Sequence, residues 1–174
     1  LTILADLALT EYDDTTAIRY YDEAIDLDAS YSPALIGKAE ACRISRRYDE
    51  YFPALNAYVK NTAAGPEEKA EYLTALIEKS DPNFVLRFKS KLDTALLGFA
   101  QAHPEDSLVY NLRGMYYLYT GRNDEAEEQF RAQVDKYPES FGAAATFVEF
   151  LMYGQKWQEL SDEIFKFQKI LKES

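Results

Sequence analysis

The sequence predicts an all-α protein built from five helical hairpins in tandem. Three observations carry that expectation. A small-and-aromatic phrase, Tyr110, Gly114, Tyr117, Ala126, Phe130 and Pro138, marks out one hairpin, and related phrases recur with a period of about 34 residues. Apolar residues fall at steps of three and four, the spacing of a single helical stripe. Glycine and proline number only seven and six in 174 residues and lie at regular breaks, as helices joined by short turns require.

The clearest unit, Ser107 to Ser140, is 34 residues long. The next, Phe141 to Ser174, has the same length, with Ala144, Phe147, Val148 and Leu151 on its first helix and Leu160, Ile164 and Phe167 on its second. Ser32 to Gly65 is again 34 residues; Leu35, Ala39 and Cys42 form one stripe, and Tyr48, Tyr51, Leu55 and Tyr58 the other. Residues 1–31 fit a unit lacking three positions, with Leu1, Leu4, Ala5 and Ala8 followed by Ala17, Tyr21 and Ala24. The middle unit, Pro66 to Asp106, has 41 residues, an insertion of seven. Its first helix opens at Pro66 with Glu67 and Glu68 against the dipole, and carries Tyr72, Leu73, Leu76 and Ile77. Its second opens at the N-cap Asp81 before Pro82 and runs through Val85, Phe88, Leu92, Leu96 and Phe99 to the turn at His103. Two additional helical turns absorb the insertion. The expectation is ten helices in a single domain over 1–174, with no strands.

On these residues the chain resembles the tetratricopeptide-repeat proteins over essentially its whole length. The resemblance implies a right-handed superhelical α-solenoid whose first helices line a concave groove. Two departures stand out: Arg113 replaces a usual apolar residue, and Pro53, near the start of a second helix, is expected to delay or bend it. The implied groove carries Asp6, Ile36, Glu40, Arg43, Glu67, Thr74 and Glu78 toward its acidic N-terminal side. Asn111, Met115, Leu118, Tyr119, Glu149, Met152 and Tyr153 make the other side more apolar and aromatic. The implied function is a protein–protein scaffold or adaptor that takes a partner segment, basic at one end and apolar at the other. The alternatives are a dedicated chaperone for an exported or assembly-prone protein, and a helical module of a larger enzyme. Repeats that grip the acidic tails of heat-shock chaperones use lysine, asparagine and arginine. This chain has Thr2, Asp6, Gly37, Glu40, Glu67 and Glu71 at matching positions, which disfavours that role.

Thirty acidic against nineteen basic residues give a net charge of −11, which repels phosphate backbones and anionic membranes. No apolar run is long enough to span a bilayer. A chain that begins at Leu1 rather than Met reads as a processed or trimmed form, so the compartment stays open, cytoplasmic first and exported second. The lone Cys42 excludes an internal disulfide and, on an inner stripe, reads as core. The lone His103 reads as a helix cap, since a zinc site needs further ligands. Asp13 and Asp14, Glu67 and Glu68, and Asp124 and Glu125 with Glu127 and Glu128 read as helix-start acids. With no phosphate loop, nucleophile elbow or calcium loop, the sequence predicts no enzyme, cofactor or metal. On the last helix Trp157, Leu160, Ile164, Phe167 and Leu171 are expected to face inward. Phe165 and Ile170 fall off that stripe, and predict a homodimer through the C-terminal repeat.

Overall fold

The computed structural model describes residues 1–173, less the side chains of Leu171 and Glu173. It contains eleven α-helices and, among the described residues, no strand. They fall into two compact units, one of Leu1–Tyr72 with Asp81–Pro104, the other of Leu73–Ser80 with the chain from Glu105 onward.

The first unit holds α1 (Thr2–Thr10), α2 (Asp14–Leu27), α3 (Ser32–Ile44), α4 (Tyr48–Lys60), the start of α5 (Pro66–Lys79), α6 (Pro82–Arg87) and α7 (Lys89–Ala102). Successive helices α1 to α4 pack on one another, and α7 packs on α4. The core is drawn from the expected stripes: Ala5, Ala17, Tyr21, Leu35, Ala39, Cys42, Tyr51, Leu55, Leu92 and Phe99 are all buried. Leu1 and Leu4, expected on the same stripe, are exposed instead. Gly37 admits the Tyr21 ring of α2; a Cβ there would lie 2.9 Å from the Tyr21 hydroxyl and closer still to its ring.

The second unit holds the end of α5 with α8 (Ser107–Tyr119), α9 (Asn123–Lys136), α10 (Phe141–Tyr153) and α11 (Trp157–Glu173). Phe130 on α9 lies over Gly114 on α8, where a Cβ would stand 2.6 Å from Phe130 Cζ. Ala126, Val134, Ala143, Phe147, Phe150 and Leu151 close around that ring as one buried cluster, with Tyr117, Leu118 and Leu160 against it. The tyrosine buried outright on α8 is Tyr116, whereas Tyr110 and Tyr117, the residues of the repeat phrase, are half-buried.

Four helix starts carry a side-chain cap. Asp13, Asp81, Asp106 and Ser140 accept the backbone N–H groups of Thr16, Asn83, Leu108 and Ala143. The ends of the first helices share a device hidden from composition. Tyr12 (φ 62°), Arg46 (59°), Gly121 (72°) and Gln155 (54°) are left-handed and occupy one repeat position in four of the five units. The next N–H reaches back five residues each time, Asp13 to Ala8, Arg47 to Cys42, Arg122 to Tyr117 and Lys156 to Leu151, at 2.8–2.9 Å. This is the Schellman closure, and only one of the four left-handed residues is glycine.

Three further expectations are corrected. Eleven helices replace ten because the insertion breaks at Phe88 (φ −103°, ψ 18°) into α6 and α7 rather than lengthening one helix. The break lets Phe84 and Phe88 pack on Tyr48 and Phe52 of α4, with ring centroids 4.8–6.4 Å apart. Pro53 does not delay α4, which starts at Tyr48 and runs through the proline as its sixth residue. On α11, Trp157 and Ile164 are exposed rather than inward, and Ile170 is half-buried; the Leu171 side chain lies outside the described residues.

The shared turn geometry gives a stability prediction. Gly121→Ala forces a Cβ into the left-handed region and should cost about 1–2 kcal/mol. Arg46→Gly, at the equivalent turn and with its side chain exposed, should raise stability by up to about 1 kcal/mol. Urea unfolding of both variants beside the parent measures the two signs.

Candidate partner-binding cleft

Of the expected groove residues in the first unit, Glu40 and Arg43 are committed to each other. Glu40 and Arg43, one turn apart on α3, form a bidentate ion pair with both N···O distances at 2.8 Å. The Tyr72 hydroxyl donates to Glu40 Oε1 at 2.5 Å and lies 3.1 Å from the Tyr51 hydroxyl. Burial pushes the Glu40 carboxyl up, but the hydrogen bonds from Arg43 and Tyr72 outweigh it and hold the group below the usual carboxylate range. Burial, then the neighbouring Tyr51 and Glu40, pushes the Tyr72 phenol well above its ordinary value. Asp6 accepts a hydrogen bond from the Tyr21 hydroxyl, Ile36 is half-buried, and Glu67 is exposed.

His103 is the C-cap residue of α7, as expected, and its Nε2 also lies 2.9 Å from Nζ of Lys69 on α5. Lys69 is fully buried and donates as well to the Asn61 carbonyl. Burial lowers the affinity of its amine for a proton, against the opposing charge of Glu68. The sequence carried a signal for this lysine, since Lys69, Leu73 and Leu76 share one stripe. Cys42 is buried, and that burial raises its thiol pKa, consistent with a core residue.

In the second unit six of the expected residues converge. Thr74 and Glu78 from α5, Asn111, Met115 and Tyr119 from α8, and Glu149 from α10 line one cleft of about 330 Å³. Ile77, Leu112, Tyr116 and Thr146 complete it, none of them singled out for the groove from sequence. Its floor is apolar because Ile77, Leu112 and Tyr116 are buried there. Its rim is acidic, since Glu78 and Glu149 are exposed and neither joins an ion pair among the described residues. Leu118 instead turns onto the α9–α10 core. Tyr153 is 90% exposed and lines neither this cleft nor its neighbour. Met152 lines a second, larger cavity of about 550 Å³ between α10 and α11, which also reaches Glu149. Arg113, the departure from the repeat pattern, donates to the Tyr117 hydroxyl at 3.1 Å.

Two carboxylates of α9, Glu127 and Asp135, are paired rather than poised, Asp135 with Lys166 at 3.0 Å. Glu127 receives Arg131 at 2.8 Å and also Lys156, while Arg131 reaches Glu159 at 2.6 Å. Among the described residues no group of three potential ligands could hold a metal ion, and no helix is long and apolar enough to cross a membrane.

The helices and clefts define an all-α protein of tandem helical hairpins. Solved structures place that class more narrowly. MamA from Desulfovibrio magneticus RS-1, as a fragment from residue 41, is 16% identical with a TM-score of 0.51, covering 98% of this chain and 93% of its own. A MamA RS-1 double mutant is 15% identical with a TM-score of 0.52, covering 98% and 92%. YrrB, described as a TPR protein with an unusual peptide-binding site, is 20% identical with a TM-score of 0.50, covering 97% and 84%. The chain therefore has the tetratricopeptide-repeat fold. Identities this low establish the fold alone. No protein-family model matches the sequence, and no curated protein does.

The Glu40 cluster predicts an acid-sensitive element. A carboxyl whose pKa is lowered by folding stabilises the native state above its unfolded value of 4.5, and that contribution is lost as pH falls through the folded-state value. Glu40→Gln should therefore lower stability by about 1.5–3 kcal/mol at pH ~7 and by much less at pH ~3. Urea unfolding of parent and variant at the two pH values reads the difference.

Proposed function

We propose that this protein is an interaction scaffold that binds a segment of a partner protein in the cleft of α5, α8 and α10. The observation that carries the reading is the pairing of an apolar floor with two uncompensated carboxylates, Glu78 and Glu149. A cationic side chain would neutralise that rim, and an adjacent large apolar side chain would cover Met115 and Tyr119. The partner segment is thus a Lys or Arg flanked by apolar residues. A small polar solute would leave the floor wet, and an anionic one would meet the acids. Self-association through the last hairpin belongs to the same reading, since Phe165 is exposed and Ile170 borders the larger cavity.

Selection from a random peptide library tests the cleft. The expected outcome is enrichment of peptides carrying Lys or Arg beside a large apolar residue. Glu78→Lys with Glu149→Lys should slow association with those peptides about tenfold or more and remove its salt dependence. Tyr119→Ala should mainly speed dissociation, as loss of an aromatic anchor does. Enrichment of acidic peptides, or binding indifferent to all three changes, would place the site elsewhere. Salt-insensitive capture of any apolar peptide would favour the chaperone alternative.

A further inference from the structure

Two basic side chains meet inside the first unit. Nζ of Lys69, on α5, lies 2.9 Å from Nε2 of His103, the C-cap residue of α7. Lys69 is fully buried, and His103 is half-buried against the Phe99 ring, with 5.4 Å between centroids. An ammonium and an imidazolium can both only donate, so a hydrogen bond between these nitrogens needs one of them unprotonated. The pair therefore carries a single positive charge, whichever nitrogen holds the proton.

The contact ties three helices together. Lys69 also donates to the carbonyl of Asn61, the C-cap residue of α4, and α4 packs on α7. Its charge thus sits at the C-terminal ends of two helices, where a cation is favoured. Both acceptors are neutral. A carboxylate in place of the imidazole would hold the amine through mild acid, whereas an imidazole takes up a proton there. Of the charged residues on the surrounding segments, Glu67, Glu68 and Glu71 of α5 and Lys60 of α4 are exposed. Glu68 favours the charged form of Lys69 against the effect of burial. Glu105, two residues after His103 in sequence, is held by Lys136 at 2.9 Å.

We infer that the Lys69–His103 contact is a proton-operated latch, which holds the start of α5 to the ends of α4 and α7 at neutral pH and releases it in mild acid. In the unfolded chain His103 takes up a proton as the pH falls through about 6.5, the ordinary imidazole value. In the folded chain that proton would set two cations 2.9 Å apart beside a buried amine, so it enters only as the contact opens. The folded state thus binds one proton fewer. Its stability is fully present above about pH 6.5 and is lost as the pH falls toward the lower folded-state value, by at most about tenfold in the folding constant per pH unit. This window lies above the one in which Glu40 titrates, and the latch is independent of the peptide cleft.

His103 is the only histidine in the sequence, so one imidazole NMR signal reads the contact without ambiguity. In protein free of any tag, that signal should titrate about one pH unit or more below the ordinary value of about 6.5. Lys69→Met keeps the buried stem and removes the charge, and should bring the midpoint back up. Urea unfolding gives a second reading that does not depend on Lys69→Met folding. His103→Gln offers a neutral acceptor at every pH, so between pH ~7 and pH ~5 the parent should lose about tenfold more of its folding constant than this variant. Hydrogen exchange locates the loosening: amides 69–72 of α5 should lose protection in mild acid before those of α2. A midpoint at or above about 6.5 would overturn the inference, as would a midpoint that Lys69→Met leaves unchanged. So would a ratio of the parent and His103→Gln folding constants that stays the same at both pH values, or a loss of protection uniform over the first unit.

Discussion

The structure depends on the close approach of an aromatic ring to a residue with no side chain. Phe130 lies over Gly114, and the two helices of that hairpin can come together only because no Cβ intervenes. Fixing the ring fixes the rest of the second unit's core, since Ala126, Phe147 and Phe150 close around it. The first unit uses the same physics between neighbouring hairpins, where Gly37 admits Tyr21. Such contacts transmit register: a hairpin that slips by one residue presents a side chain where the ring must sit.

Register also decides which residues of a stack of helices share a face. With α8 held against α9, Asn111, Met115 and Tyr119 share the face that meets Thr74 and Glu78 of α5 and Glu149 of α10. Leu118 falls on the other side and serves the core. Electrostatics then separates the acids. Glu40 is satisfied within its own unit by Arg43 and Tyr72, so removing it chiefly costs stability. Among the described residues Glu78 and Glu149 join no ion pair, so their charge stays on the exposed rim of the cleft.

What the sequence made legible follows from what is periodic. The stripes Leu35–Ala39–Cys42, Tyr51–Leu55–Tyr58 and Leu92–Leu96–Phe99 are buried as read, because each is decided by helical spacing alone. The break at Phe88 was not legible: Val85, Phe88 and Leu92 fit one unbroken stripe, and the interruption comes from rings on α4 that lie more than thirty residues away. The left-handed turn residues were hidden because Tyr12, Arg46 and Gln155 stand where glycine would have announced them. In the cleft, the residues read from the first helices of the second unit converge except Leu118, Met152 and Tyr153. Residues one position apart on a helix point about 100° apart, so the edge of a face is the least legible part of it.

A double-mutant cycle on Gly114 and Phe130 tests the central claim most directly. If the ring and the missing Cβ are interlocked, Gly114→Ala should cost about 1–3 kcal/mol in the parent. Beside Phe130→Leu, which withdraws the ring from that space, the same change should cost little or even stabilise by adding helix propensity. The two changes should therefore couple by more than about 1 kcal/mol. Strict additivity in urea unfolding, with Gly114→Ala equally costly in both backgrounds, would contradict the account.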